Sequence, residues 1–112
     1  GLYIAKQESV EDYILIKAGK KKHRLRYSEI RYIEGLKEYV IWHTDKGKIV
    51  AYTSLKKVVQ QLAPYNFNQV HKSFIVNFAR VDYFETSSIH IGKIDIPVGR
   101  AFKTVIAKYI GG

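Results

Sequence analysis

The sequence predicts a mainly β domain, because short runs of alternating apolar and polar residues, rich in β-branched and aromatic side chains, recur along most of the chain. Turn-forming residues divide these runs, among them Gly19, Asp45-Lys46-Gly47 and Ser87-Ser88. With 112 residues, 46% of them hydrophobic and 26% charged, the chain has the size and composition of one globular domain with one modest core. We therefore expect small antiparallel sheets and hairpins in a single domain.

The first half of the chain predicts two hairpins with a single strand between them. Gly19-Lys20-Lys21-Lys22 is the expected basic tip of the first hairpin, and Asp45-Lys46-Gly47 is the expected turn of the second. Gly47 can supply the positive φ angle that a tight turn needs. The predicted strands are residues 12–19, 23–30, 30–35, 39–44 and 48–53.

One short helix is predicted near residues 54–63. Ser54 can cap its start, and Pro64 prevents its extension. Between them, four apolar residues repeat at helical spacing, namely Leu55, Val58, Val59 and Leu62.

The second half returns to strands and ends in a segment compatible with a short C-terminal helix. Residues 69–78 and 81–86 are each predicted to form one strand, and two further strands flank Gly92-Lys93. The final Gly111-Gly112 is expected to fray. The apolar positions of the C-terminal helix are Phe102, Val105, Ile106 and Tyr109.

Positive charge is concentrated near the start of the chain. The 19 Lys and Arg residues against 10 Asp and Glu give a net charge of +9, which makes a polyanion the leading expected partner. Seven basic residues lie within residues 13–31 against Glu29 alone, whereas residues 1–12 carry one Lys and three acidic residues. A solvated hairpin kept soluble by its lysines is the alternative explanation of the basic run.

Motifs for catalysis and cofactor binding are missing from the sequence. The chain has no cysteine, which excludes thiol chemistry, and it has neither a Gly-rich phosphate loop nor a serine nucleophile elbow. Its four histidines are never three or four residues apart, so no single strand or helix presents two of them to one metal. We therefore expect no enzymatic activity, no cofactor and no bound metal.

The hydropathy of the chain predicts a soluble protein. No apolar run approaches the ~20 residues of a membrane-spanning helix. The first residues also lack the basic and apolar regions of a signal peptide. A cytoplasmic location without membrane association is the resulting expectation.

Three segments together resemble a known family. Residues 70–77, Val-His-Lys-Ser-Phe-Ile-Val-Asn, closely resemble the signature of the LytTR DNA-binding domain, the output module of LytR/AlgR-type bacterial response regulators. Residues 30–62 are similar to the family's succession of strand, loop, hairpin and short helix, and IPVGRAFK at residues 96–103 resembles its closing Ser-Arg or Gly-Arg motif. The order and spacing of these pieces extend the resemblance over about residues 13–108.

The resemblance implies a LytTR-like arrangement of small antiparallel sheets that reads DNA with loops at its edge instead of a recognition helix. The implied partners are double-stranded DNA with repeated half-sites and, in the full-length parent protein, a receiver domain. The isolated domain is expected to be a monomer that pairs on DNA. We take residues 13–110 as the DNA-binding domain and residues 1–12 as a linker remnant or tag-proximal segment.

The resemblance places the first DNA-contacting loop at residues 35–39. Lys37 is the first choice for a contact and Glu38 the second, because lysine suits guanine edges or phosphate and glutamate could accept a hydrogen bond from cytosine N4. The alternative is that both side chains merely solvate a loop.

The second loop contains His71, Lys72 and Ser73, and Lys72 occupies the family's base-reading position. Lys72 can donate to guanine O6 and N7, His71 can donate to phosphate or a base when suitably protonated, and Ser73 can donate its hydroxyl to phosphate. If residues 69–78 form one strand, alternation turns Lys72 to the face opposite His71 and Ser73, so Lys72 must lie at the very edge of the sheet. Asn77 is expected to bond backbone groups in a turn.

The third loop contains Arg100, which ranks first as a base-reading residue because its planar guanidinium suits bidentate recognition of guanine. Its alternative role is a surface salt bridge with Glu85 or Asp95. Gly99 stands where the family more often has serine, so any phosphate bond from that hydroxyl is lost. Sequence-independent phosphate contacts are expected from Arg80, Lys56 and Lys57.

The predicted function is sequence-specific binding of double-stranded DNA in a bacterial transcription regulator, with loops entering successive major grooves and bending the duplex. An RNA or single-stranded nucleic-acid binding module is the alternative, since nine tyrosines and five phenylalanines beside basic residues would suit base stacking. A third and weaker alternative is an interaction domain for proteins or anionic polymers such as peptidoglycan.

Overall fold

The computed structural model describes residues 13–111, which form a mainly β structure of three antiparallel sheets with two short helices. The predicted fold class is therefore confirmed, while residues 1–12 and Gly112 lie outside the described residues. The strands are β1 Tyr13–Ala18, β2 Lys21–Arg26, β3 Ile30–Gly35, β4 Val40–Thr44, β5 Gly47–Ala51, β6 Phe67–His71, β7 Phe74–Asn77, β8 Tyr83–Phe84, β9 Ser88–Ile91 and β10 Ile94–Pro97, and the helices are α1 Leu55–Leu62 and α2 Lys103–Ile110.

A five-stranded sheet with the order β5-β4-β3-β7-β6 organises the domain. Residues 36–39 and 72–73 connect strands at one end of this sheet, which we call the loop end. Residues 45–46 connect β4 to β5 at the opposite end, which we call the far end, where the Asp45 amide donates to the Glu29 carbonyl at 2.9 Å. A strand of five residues puts about 14 Å between the two ends.

Apolar side chains fill both faces of the five-stranded sheet. On one face, Trp42 and Ile33 pack with side chains of the β1–β2 hairpin and of α1, including the buried Val58. On the other face, Tyr32 and Val76 pack with the three-stranded sheet β10-β9-β8 and with α2. The two helices and the two smaller sheets are thus held by burial of apolar surface.

Both helices form where the apolar spacing predicted them. At the start of α1 the Ser54 hydroxyl oxygen accepts from the Lys57 amide at 3.2 Å, as expected for an N-cap. At the end of α2, Gly111 adopts a φ of 71°, the left-handed conformation that ends helices most readily with glycine. Neither helix in residues 13–111 is long and apolar enough to cross a membrane.

The expectation of one strand over residues 69–78 was wrong. The segment folds back on itself, so that β6 and β7 pair antiparallel with His71 opposite Phe74 and Lys72-Ser73 in the turn. The alternation argument for Lys72 therefore does not apply, because a turn residue lies on neither face of a strand. Lys72 is exposed at the apex of the hairpin.

The structure also corrects the predicted boundaries of several strands. The first hairpin turns at Gly19-Lys20, so Lys21 and Lys22 belong to β2 and not to the turn. Residues 27–29 form a 3-10 helix where the sequence predicted strand, and the strand expected over 81–86 is reduced to Tyr83–Phe84.

The expected role of Asn77 is confirmed. Its side-chain amide donates to the Ile30 carbonyl at 2.8 Å and to the Tyr27 carbonyl at 3.2 Å, and its side-chain oxygen accepts from the Ala79 amide at 3.1 Å. Asn77 is only 3% exposed. It therefore links the end of β7 to the start of β3 at the far end.

Candidate nucleic-acid interface

Backbone hydrogen bonds bring the three predicted loops together at the loop end. The Gly35 amide, where the first loop begins, donates to the Ser73 carbonyl of the second loop at 2.8 Å. The Gly99 amide of the third loop donates to the Val70 carbonyl, also at 2.8 Å. A Cβ atom added to Gly99 would lie 3.6 Å from the His71 Cα atom. Segments far apart in sequence therefore form one continuous surface.

The first loop is a tight turn supported from behind by α1. The Leu36 amide donates to the Tyr39 carbonyl at 2.9 Å, which leaves Lys37 and Glu38 exposed at the apex. Gly35 lies so close to α1 that an added Cβ atom would be 3.2 Å from the Leu55 side chain. This close approach places the start of the first loop beside the first turn of α1.

A hydrogen bond within the second loop fixes the orientation of the histidine ring. The Ser73 amide donates to Nδ1 of His71 at 3.1 Å. Because Nδ1 accepts, it carries no proton, and the proton of the neutral ring resides on Nε2. His71 is therefore prepared to act as a donor through Nε2. Beside it, Lys72 is fully available for contact at the apex of the turn.

The third loop presents Arg100 without an ion-pair partner. Gly99 is extended, and Arg100 opens a 3-10 helix that leads into α2. Within residues 13–111 no carboxylate lies within salt-bridging distance of Arg100. Glu85 and Asp95, the two acids considered as its partners, both pair with His90 instead. The surface salt bridge is thus not formed.

Lysines in the first turn of α1 add positive charge next to the first loop. Lys56 and Lys57 are exposed, and the adjoining Leu55 packs against Gly35. Cations at a helix N-terminus are disfavoured by the helix dipole, by roughly 0.3–1 kcal/mol each. Their position therefore does not serve the stability of the helix.

Comparison with known proteins identifies the family of this chain. The family model described as the LytTr DNA-binding domain matches residues 20–111, which is most of the chain. The chain belongs to the LytTr DNA-binding domain family. The family resemblance carried by residues 70–77 and by Gly99-Arg100 is thereby confirmed.

Two relatives of this LytTr domain are informative. An uncharacterized response regulatory protein of Vibrio cholerae is 27% identical over 94 residues, which cover 76% of this chain and 36% of that protein. The chain thus spans about a third of the length of this curated relative. A solved structure from Bacillus cereus, described as the LytTr DNA-binding domain of a methyl-accepting/DNA response regulator, has a TM-score of 0.74 and 17% identity, covering 91% of this chain and 99% of that one. At that identity the likeness shows the fold.

Arg80 is the one predicted contact residue that lies away from the loop end of the LytTr domain. Its guanidinium donates two hydrogen bonds of 3.0 Å to the Asp45 carboxylate and one of 2.8 Å to the Ser28 carbonyl, all at the far end. The same contact lowers the pKa of Asp45 below its ordinary value. The other predicted side chains lie at the loop end: Lys37, Glu38, Lys56, Lys57, His71, Lys72, Ser73 and Arg100.

Two residues of this end were missed by the sequence analysis. Gln69 donates from its side-chain amide to the His71 carbonyl at 3.2 Å and so supports the second loop. Tyr52 is 81% exposed and makes an edge contact with Tyr39, with ring centroids 5.9 Å apart. Recognition of the turn at residues 72–73 would have indicated Gln69, whereas Tyr52 carried no distinguishing signal among nine tyrosines.

Proposed function

We propose that this LytTr domain binds double-stranded DNA sequence-specifically, with its three loops entering major grooves of the duplex. The observation that supports this most is the convergence of three loops whose cationic tips have no acidic partner within residues 13–111. Such unpaired cations on one surface suit a polyanion, since phosphate contacts supply much of the affinity for DNA.

The loop side chains divide into base readers and phosphate contacts. Arg100 and Lys72 read guanine edges from separate loops, and His71 donates through Nε2 to a base or a phosphate. Ser73 donates its hydroxyl to phosphate, and the first loop adds Lys37 for guanine or phosphate and Glu38 for cytosine.

The helix lysines and Arg80 contribute differently to binding. Lys56 and Lys57, on the same side as the loops, contact phosphates and add affinity without sequence information. Arg80 is already bonded to Asp45 and Ser28, so a phosphate contact by Arg80 would have to compete with its bonds to the fold.

The parent protein is proposed to be a bacterial transcriptional response regulator. The length of the Vibrio cholerae relative, of which this chain spans 36%, leaves room for a receiver domain. In that context the domain acts in the cytoplasm, pairs on repeated half-sites, and is a monomer when isolated. It binds and bends DNA without catalysing a reaction.

A single-stranded nucleic-acid module is the rival function, and the exposed Tyr52 is the observation that favours it. Among residues 13–111, the other exposed tyrosines contact aromatic rings elsewhere, and Tyr109 packs against Phe78 and Phe84. Tyr65 stacks on Tyr27 with centroids 4.0 Å apart, and Tyr83 stacks on His90 with centroids 4.1 Å apart. The aromatic arrangement therefore favours the duplex.

Competition binding separates the two functions. The preferred operator is first selected from a random duplex pool, and the labelled operator is then competed with unlabelled duplex, its separate strands and RNA of the same sequence. We expect the operator duplex to compete best and unrelated duplex to compete weakly. Stronger competition by a single strand or by RNA would overturn the duplex proposal.

A further inference from the structure

The β1–β2 hairpin directs its turn toward the loop end. β2 ends at Arg26, from which the chain enters residues 27–29 at the far end, so the opposite end of the hairpin carries the Gly19-Lys20 turn. A groove of about 490 Å³ is lined by residues of both the hairpin and the edge of the sheet, among them Lys17, Gly19 and Tyr52. Because Tyr52 contacts Tyr39 of the first loop, the hairpin tip is a neighbour of that loop.

The lysines of the hairpin tip do not stabilise the hairpin. Lys17 and Lys22 are directly opposite each other in the register, and like charges in that position are destabilising. Lys17, Lys20, Lys21 and Lys22 are all exposed, and none has a carboxylate within salt-bridging distance among residues 13–111. The clustering of these lysines therefore destabilises the fold through charge repulsion, and a bound polyanion would reduce that repulsion.

At the end of the same hairpin opposite the turn, the basic side chains do have partners. The Arg24 guanidinium lies 3.9 Å from the centroid of the Tyr13 ring, and that of Arg26 lies 5.2 Å away. These distances are typical of cation–π contacts, which engage both arginines within the domain. Within the described residues of the hairpin, the lysines near the tip are thus the cations left without such a partner.

We propose that the tip of the β1–β2 hairpin, formed by Lys17, Lys20, Lys21 and Lys22, binds phosphates of the duplex flanking the groove that the first loop enters. This inference rests on the proposed function and adds a fourth element to the interface. The contacts are to backbone phosphates, so they raise affinity for every duplex equally and lengthen the bound segment on one side. An acidic protein surface would match the same charge, but DNA is favoured because the tip shares a groove with Tyr52, which contacts Tyr39 of the first loop.

The test compares two double variants that remove the same charge. Lys20→Gln/Lys22→Gln removes two of the four lysine charges of the tip, and Lys48→Gln/Lys93→Gln is the matched control. Lys48 follows the far-end turn in β5, and Lys93 lies in the β9–β10 turn at the end of β10 opposite the third loop. Affinity for a long random-sequence duplex is measured against salt. We expect the slope of log K against log salt to fall by roughly 2 for the tip variant, since each lost phosphate contact changes it by about 0.9, and to stay unchanged for the control.

Duplex length provides the second measurement. The wild type should lose affinity when the selected operator is trimmed on one side, whereas the tip variant should lose less affinity on the same trimming. Equal slopes for the tip and control variants, with normal binding by the wild type, would overturn this inference alone and point to an acidic protein surface. Failure of the wild type to bind any duplex would overturn it together with the proposed function. Unchanged melting temperatures establish that both variants are folded.

Discussion

The two ends of the five-stranded sheet use cationic side chains in opposite ways. At the far end, Arg80 is held by two hydrogen bonds to Asp45 and one to the Ser28 carbonyl. At the loop end, Arg100 and Lys72 are exposed and have no carboxylate within salt-bridging distance among residues 13–111. The same type of side chain is bonded within the fold at one end and is exposed without an acidic partner among residues 13–111 at the other.

Acidic residues make the difference between the ends. Asp45 accepts from Arg80 and also lies 3.8 Å from Arg31, and Glu29 pairs with Lys46 at 3.4 Å. At the loop end, Glu38 is the exposed acid nearest to the lysines and pairs with none of them. A count of basic residues therefore does not distinguish the two ends, whereas the acidic partners of Arg80 and Lys46 do.

The largest effect on stability is expected for Asn77→Ala at the far end. The substitution leaves two carbonyls and one amide without their partner, and it should lower the free energy of unfolding by about 3 kcal/mol. Urea unfolding measures the change. Asn68→Ala is the control, because Asn68 is half-buried and makes no side-chain hydrogen bond within residues 13–111, and its effect should be small. Equal effects of the two variants would refute the role of Asn77.

Arg100→Ala should give the largest loss of DNA affinity. Removal of a bidentate guanine contact costs ~1–3 kcal/mol on the selected operator and much less on unrelated duplex. The melting temperature should hardly change, because an exposed loop arginine leaves no cavity. Lys72→Ala should act in the same way at a different base pair. If either variant weakens binding to all sequences equally, that residue is a phosphate contact and not a base reader.

Arg80→Ala should lower stability more than it lowers DNA affinity, which is the opposite of Arg100→Ala. The free energy of unfolding should fall by about 1 kcal/mol, a small loss because the Arg80–Asp45 pair is partly exposed and screened by solvent. The lowered pKa of Asp45 means that the ion pair stabilises the fold above the ordinary carboxyl value of 3.8. This contribution is lost as pH falls through the lowered folded-state pKa. The melting temperatures of wild type and variant should therefore converge in acid. A constant difference down to low pH would show that Asp45 is not the relevant partner.

The smallest expected effect is on the pKa of His90, which lies in β9 and not in the five-stranded sheet. Its hydrogen bond with Glu85 at 2.7 Å raises its pKa above the ordinary value of 6.5, and Asp95 adds to the effect. The protonated ring therefore stabilises the fold fully below that value, and the stabilisation is lost as pH rises through the raised folded-state pKa. Titration of the ring by NMR should give a midpoint above 6.5, and Glu85→Gln should lower it. A midpoint unaffected by Glu85→Gln would contradict the assignment.

Local signals predicted the parts of the fold that local interactions determine. Gly47, with a φ of 115°, marks the turn of the second hairpin, and Ser54 marks the start of α1. The turn at Lys72-Ser73 has no Gly, Asn or Pro, and the alternating pattern runs through it. That turn depends instead on the Gly35 amide, donated from another strand, and on the ring of His71. The alternation of apolar and polar residues along the sequence does not reveal such contacts.

The candidate site was only partly predicted, because contacts between distant segments also determine which residues lie together there. Family resemblance indicated the loops, but their proximity depends on hydrogen bonds between segments distant in sequence, such as that from Gly99 to Val70. Arg80 was chosen as a phosphate contact from its charge. Its bonded acid, Asp45, lies 35 residues earlier in the chain, so no sequence pattern could reveal the pair.

In the proposed function the loop end binds DNA and the far end does not. Amide chemical shifts of the labelled domain, followed by NMR as the selected operator duplex is added, test this directly without any substitution. The largest changes should fall in residues 35–39, 71–73 and 99–101, with little change in residues 28–31, 45–47 and 79–80. Changes concentrated in the second set, or spread evenly over both ends, would contradict the claim.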